Sequence, residues 1–356
     1  MICLFYLMVF FLFLYSIIKI RKRSFFFDVL FIAIVSFIFY ISTNSIDSGS
    51  YELFFRDTNI LSLSKDAGFV LFINLCKIFT QDYAIFRMIV GLLSAIVIVF
   101  IVNGLTINWK SKYLVYATYL IYPFIQGVIA LRMTLAINFI LLGFYFYFKS
   151  KKKRIAKIIL LVSVLIAAQF HSLCYIFIFI LIIYFFVKKT KYYFILFFGI
   201  LIAIIFLKFY SASLFNMISM FLSTSDSFSK YNLYTSSIEG LGIGFIIPIF
   251  VQLIELLFLY VSFKYSKKTS NIINNEIFKL NLALLFLSPF YIINTLFLRL
   301  YRSVLVFNYI TISDNIKKEK INFQLVFTIL YIIFNIALLL WDADGYNSII
   351  SIFSSL

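Results

Sequence analysis

The sequence predicts an all-α, polytopic integral membrane protein, and three observations predict it. Apolar residues make up 64% of the 356 positions, with a mean hydropathy of +1.06. Charged residues account for only 13%, against about 25% in an average soluble domain. The basic residues gather in short runs at alternate ends of apolar segments, as the positive-inside rule requires of membrane helices.

Apolar runs of about 17 to 25 residues are long enough to cross a bilayer. They fall near 2–18, 25–42, 84–105, 113–130, 132–148, 155–171, 172–187, 192–210, 241–263, 278–298, 300–314 and 321–340, so about 10 to 12 transmembrane helices are expected. The stretches 113–148 and 155–187 are each too long for one crossing and divide at Arg132 and His171. The first extracytoplasmic loop, 43–82, contains an amphipathic segment from Ala67 to Phe79. There Phe69, Val70, Phe72, Ile73, Cys76, Ile78 and Phe79 recur at helical spacing. About 13 residues cannot span, so this segment is expected to be a short interfacial helix with its apolar face towards the acyl chains. A second long extracytoplasmic loop, 211–240, is rich in Ser, Thr and Asn and reads as a lid, a substrate contact or a tolerant surface loop. With no internal repeat and no soluble insertion, 1–356 reads as a single transmembrane domain.

Orientation follows from the charges. With Lys19–Arg23 inside, alternation puts Lys110–Lys112, Lys149–Lys157, Lys188–Lys191, Lys264–Lys268 and Lys317–Lys320 inside as well. About 22 of the 31 basic residues but only about 4 of the 14 acids then face the cytoplasm, and both termini lie outside. The net charge of +17 is therefore read as topology signals facing anionic lipid, and nucleic acid is not an expected partner. The first apolar run has its positive charges after it, so it is not expected to be a cleaved signal peptide. Cys3, Cys76 and Cys174 are scattered, in or near apolar segments, and read as packing residues. No metal spacing is present, and no metal or cofactor is expected.

Charges that break the pattern mark the candidate site. Arg132, Arg299 and Arg302 lie at the outer ends of spans, where a guanidinium is costly unless it has a task. Their planar forks suit phosphate oxygens, and Arg299 and Arg302, three apart on one helix face, suit a diphosphate. Asp47, beside Gly49 just past the second span, is either the cap of a short helix or a general base for a hydroxyl. Glu52, Asp57 and Asp66 look more solvent-facing. His171 is the only histidine and lacks companion zinc ligands; it holds a phosphate or hydroxyl, or serves as base in place of Asp47. Glu255, deep in a span, reads as a protonated or hydrogen-bonded structural acid.

Four short motifs carry a resemblance. Asp47…Tyr51, Asp66-Ala67-Gly68-Phe69, Arg132…Ala136 and Ala168-Gln169-Phe170-His171-Ser172 resemble the EpsG family of Wzy-type polymerases of exopolysaccharide, capsule and O-antigen. The likeness covers most of the first 190 residues, and afterwards only the Arg299–Arg302 pair corresponds. Met133 departs from the pattern, which has glutamine after the arginine.

The resemblance implies a metal-independent, GT-C-like glycosyltransferase of the bacterial cytoplasmic membrane with an extracytoplasmic active site. Its substrates would be oligosaccharide repeat units on undecaprenyl diphosphate, and its partners the bilayer, a flippase and a chain-length regulator. It implies Asp47 rather than His171 as the base, with Tyr51 joining Arg132, Arg299 and Arg302 in binding the diphosphate. Three guanidinium groups and a carboxylate are expected to meet at the outer leaflet. A lipid-linked-glycan ligase or other GT-C-type transferase is the alternative. A lipid-linked-oligosaccharide transporter would place charge through the membrane depth and fits less well.

Overall fold

The computed structural model describes Val9 and residues 25–58, 66–107, 111–210, 246–265, 272–293, 295–316, 321–341 and 345–353. The expected span at 2–18, the runs Lys19–Arg23 and Lys317–Lys320 and the loop 211–240 lie outside these residues, Val9 apart. What is described is helical, with no strand among the described residues. Four of its helices are long and apolar enough to cross a membrane: Tyr83–Leu105, Leu131–Lys149, Ile246–Lys264 and Phe323–Trp341.

The chain divides into two compact units. Met1–Tyr175, Phe258–Asn271 and Ser303–Leu356 form the first, Ile176–Leu257 and Ile272–Arg302 the second. In the first, α1 (Phe26–Ile41) matches the span expected at 25–42. The loop that follows holds α2 (Ser48–Arg56), the short helix that one reading of Asp47 as a cap implied, and then α3 (Ala67–Lys77), the expected amphipathic segment. Its Phe69, Ile73 and Cys76 are buried while Leu71 and Leu75 stay exposed, as helical periodicity requires. The next span, α4 (Tyr83–Leu105), packs along α1. Gly91 permits that approach, because a Cβ there would lie 2.7 Å from the Phe39 ring.

The span expected at 113–130 is interrupted. It forms α5 (Ser111–Ile121) and α6 (Phe124–Ile129), separated at Tyr122–Pro123, where proline has no N–H to continue the helix. Every residue of α5 is buried. The following spans, α7 (Leu131–Lys149) and α8 (Lys153–Phe170), agree with expectation to within two residues and pack against each other. A 3-10 turn, Ser172–Tyr175, closes this part of the unit.

Next in the chain are α9 (Ile176–Phe186), α10 (Thr190–Tyr210), α11 (Ile246–Tyr265) and α12 (Ile272–Leu284). The expected span at 278–298 is also broken in the second unit. After α12 come a 3-10 turn, Leu285–Leu287, then α13 (Ser288–Ile293) with Pro289 in its first turn, and another 3-10 turn, Thr295–Phe297. Broken backbone at membrane depth survives only where the protein satisfies it. Gln252 does so here: its amide nitrogen donates to the Leu284 carbonyl at 3.3 Å and to the Tyr291 hydroxyl at 2.5 Å.

The chain continues through α14 (Leu298–Ile316), α15 (Ile321–Trp341) and a short helix that hydropathy did not signal, α16 (Gly345–Phe353). Within the first unit the latter half of α14 locks onto α5. Ser111 Oγ donates to the Ser313 carbonyl at 3.3 Å, and the Ile107 N–H donates to Asp314 at 2.8 Å.

The same end of the first unit corrects one expectation. Lys112 does not face anionic lipid; it is 1% exposed and paired with Asp28, also 1% exposed. Its ammonium donates to both carboxylate oxygens, at 2.9 and 3.0 Å. Tyr116 Oη (2.8 Å) and Asn103 Nδ2 (3.1 Å) complete the shell around Asp28. A buried carboxylate requires such partners, since a lone charge there would be far more costly.

Candidate functional site

At the opposite end of the first unit, the starts of α4 and α7 meet the ends of α1, α6 and α8. Arg132 stands in the first turn of α7 and donates from Nη1 to the carboxylate of Asp66. Tyr51, on α2, sets its ring beside the same guanidinium. The guanidinium carbon lies 5.8 Å from the ring centroids of Tyr51 and of Phe54, so the cation rests on an aromatic floor. Arg132 Nε is buried and has no hydrogen-bond partner among the described residues. An unmet N–H on a charged fork is a ready donor for a phosphate oxygen.

Asp66 reaches Arg132 because of how α3 begins. Asp66 holds the N-cap position, where an aspartate usually accepts from its own helix, yet its side chain makes no cap bond. The carboxylate is committed to Arg132 instead. Gly68 lets this end of α3 sit against the end of α8: a Cβ would meet Gln169 Cβ at 2.9 Å and its carbonyl oxygen at 3.1 Å. Phe69 braces Tyr51 edge-on at 6.0 Å. The expectation that Asp66 faces solvent is thereby overturned; it is 4% exposed, because helix packing covers it.

The other expected residues are placed as follows. Asp47 is the N-cap residue of α2, half-buried, and its carboxylate makes no hydrogen bond among the described residues. Glu52 is engaged with Arg56 one turn on, at 2.6 Å, and Asp57 is exposed. His171 follows α8 and is half-buried. Its Nδ1 accepts from the Leu173 N–H at 3.3 Å, which leaves Nε2 as the ring nitrogen that carries a proton. A backbone turn follows, in which the Cys174 N–H donates to the His171 carbonyl at 3.0 Å, and Cys174 is buried.

Arg299 and Arg302 belong to the second unit, in the first turns of α14; Arg302 is 5% exposed and Arg299 is half-buried. Glu255 is wholly buried in the same unit, one turn beyond Gln252.

Chemically, the first unit thus offers a cation held by one acid and two rings, with a donor to spare and an uncommitted acid on the neighbouring helix cap. Sequence reasoning missed Asp66 as the partner of Arg132, and it passed over Arg87 and Tyr83. Arg87 carried the same signal as Arg132, an arginine near the end of an apolar span. Asp66 stood out only as part of the Asp66-Ala67-Gly68-Phe69 motif, and nothing local in the sequence ties it to a residue on another helix.

The motifs that point to this geometry also govern the comparison with known proteins. A family model described as the EpsG family matches residues 25–350, and so takes in Asp47, Tyr51, Asp66, Arg132 and His171. No curated protein and no solved structure matches the chain. With nearly the whole length covered, the chain belongs to the EpsG family, a Wzy-type polymerase-like family, and is a multi-pass membrane protein with a polysaccharide-polymerase-like function.

Proposed function

We propose that this protein joins lipid-linked oligosaccharide repeat units into a polysaccharide at the outer leaflet of the bacterial cytoplasmic membrane, with undecaprenyl diphosphate as carrier and leaving group. The observation that carries the reading is the Tyr51–Asp66–Arg132 constellation, in which one guanidinium is fixed by a carboxylate and keeps a buried donor unmet. A diphosphate leaving group develops negative charge, and a preorganised cation in a low-dielectric site stabilises that charge where it appears.

In the proposed reaction an acceptor sugar hydroxyl attacks the anomeric carbon of the donor chain. The new C–O bond forms as the bond from that carbon to the diphosphate oxygen breaks, and the diphosphate leaves with the electron pair. Asp47 takes the hydroxyl proton. Between Asp47 and Asp66 it is the acid at hand, because the Asp66 carboxylate is engaged by Arg132 and the Asp47 carboxylate makes no cap bond. His171 donates from Nε2 to a hydroxyl or phosphate oxygen, its Nδ1 being engaged by Leu173. Arg299 and Arg302 offer the same phosphate chemistry from α14. The basic runs support the orientation, since they put this end of the first unit outside.

The test replaces the cellular copy by Arg132→Ala or Asp47→Asn. Each variant is expected to stay in the membrane at normal level, lose polymer on the order of 10²-fold or more, and accumulate single repeat units on lipid. Full-length polysaccharide from either variant overturns the assignment of that residue.

A further inference from the structure

We propose that Arg87 is a positioning residue that sets the spacing between the Asp47 turn and the Arg132 helix; the proposal rests on the functional reading above. Arg87 lies one turn into α4 and is 0% exposed. Nε donates to the Phe39 carbonyl at 3.1 Å, Nη2 to the Val128 carbonyl at 2.7 Å and Nη1 to the Tyr83 hydroxyl at 3.1 Å. Among the described residues no carboxylate lies within ion-pair distance of it.

A buried cation without an acid is costly, so something else must balance it. Helix ends do so. Phe39 and Val128 stand in the last turns of α1 and α6, where carbonyls run short of intrahelical donors and the helix dipole is negative; the Phe39 carbonyl also accepts from the Ser42 N–H, at a long 3.4 Å. One guanidinium therefore caps two helices at once. A lysine cannot reproduce this, because its donors radiate from one point on a flexible stem while the arginine fork reaches in three directions.

Both capped ends lead into the site. Past Val128 the chain turns at Ala130 into α7, which opens with Leu131 and Arg132. Past Phe39 it leaves α1 for the turn that carries Asp47. A second link closes on that turn: the Tyr83 hydroxyl, which accepts from Arg87, donates to the carbonyl of Ser48 at 3.2 Å, and Ser48 is the neighbour of Asp47. Arg87 thus grips the start of α7 through Val128 and the start of α2 through Tyr83. The proposed base and the proposed phosphate donor share one anchor that touches neither substrate nor either residue.

The experiment uses the purified full chain in lipid nanodiscs, with lipid-linked repeat unit extracted from cells lacking the polymerase as substrate. Arg87→Lys is expected to fold and to lower kcat about 10- to 100-fold while KM stays within about threefold, because displacement of reacting groups acts on turnover. Tyr83→Phe, which removes the link to Ser48 together with the acceptor of Arg87 Nη1 but leaves both helix-end contacts of Arg87 in place, is expected to keep the fold and to lower kcat by roughly threefold to tenfold. Wild-type kcat per folded molecule in both variants, with only a lower melting temperature, overturns the proposal and makes Arg87 a staple of the fold. If Arg87→Lys does not fold, Tyr83→Phe decides alone: reduced kcat supports the proposal and unchanged kcat overturns it. Asp47→Asn and Arg132→Ala run in the same assay separate the two readings. Full turnover in those variants overturns the functional reading and the proposal with it; their loss beside normal Arg87→Lys and Tyr83→Phe overturns the positioning role alone.

Discussion

Arg132 Nη1 donates a hydrogen bond to the carboxylate of Asp66, a residue 66 positions away in the chain. This contact turns an arginine that looks isolated in sequence into one half of an ion pair, and it commits one of the loop's acids. Asp66 is spent on Arg132; Asp47, half-buried at a helix cap, is not.

Breaking the pair separates its structural and chemical roles. Asp66→Ala is expected to destabilise the protein by about 1.5–3 kcal/mol, the range for losing a hydrogen bond to a charged group. Asp66→Asn keeps the shape and is expected to cost less stability while still lowering polymer yield. Thermal unfolding in detergent, beside polymer assays in cells, checks both; an Asp66→Asn protein with normal polymer output would remove the carboxylate from the site.

The Asp28–Lys112 pair at the other end of the unit is expected to be structural. Removing one partner, as in Lys112→Met, leaves a buried charge and should cost about 3–5 kcal/mol. The double change Asp28→Asn with Lys112→Met should recover a large part of that, because Tyr116 Oη can still donate to the new amide oxygen and Asn103, with its own amide turned over, can accept from the new NH2. A double-mutant cycle read by melting temperature tests it, and strictly additive losses would show that the two residues do not interact.

Gly68 is expected to tolerate no side chain. An alanine Cβ would meet Gln169 Cβ at 2.9 Å and backbone atoms at 3.1 Å, so α3 must shift and carry Asp66 with it. Gly68→Ala should lose about 1–3 kcal/mol and reduce activity, whereas Gly49→Ala, with open space around it, should be nearly neutral in stability. Circular dichroism melts of the two variants side by side provide the measurement.

Cys76 reports on whether α3 stays docked. Burial pushes its thiol from 9.0 up to about 11, so at pH 8 the thiolate fraction falls roughly 100-fold below that of an ordinary cysteine. Alkylation by a maleimide should be correspondingly slow, rise as pH climbs towards 11, and become fast on unfolding. Rapid labelling of the native protein at pH 8 would mean that this face of α3 is open to solvent.

Much of the architecture was legible in the residues themselves. Hydropathy alone places α1, α4, α7 and α8 to within about two residues of the expected spans, because crossing a bilayer demands length and apolarity that no other local structure needs. The amphipathic rhythm of Phe69, Ile73 and Cys76 likewise predicts α3. The breaks at Pro123 and Pro289 were written in the sequence too, but hydropathy ran over them, since proline leaves an apolar run apolar.

What only the tertiary structure decided is which charge meets which. Arg132 shows itself as a cation out of place, but its partner lies on another helix, and Gly68 against Gln169 brings that helix within reach. Lys112 looks like one more cytoplasmic lysine until Asp28 is packed beside it. Arg87 is satisfied by carbonyls of Phe39 and Val128, backbone groups that no side-chain pattern announces. Span positions follow from the solvent each segment needs, a property of neighbouring residues in the chain; ion pairs and caps join residues distant in the chain, and packing alone selects them.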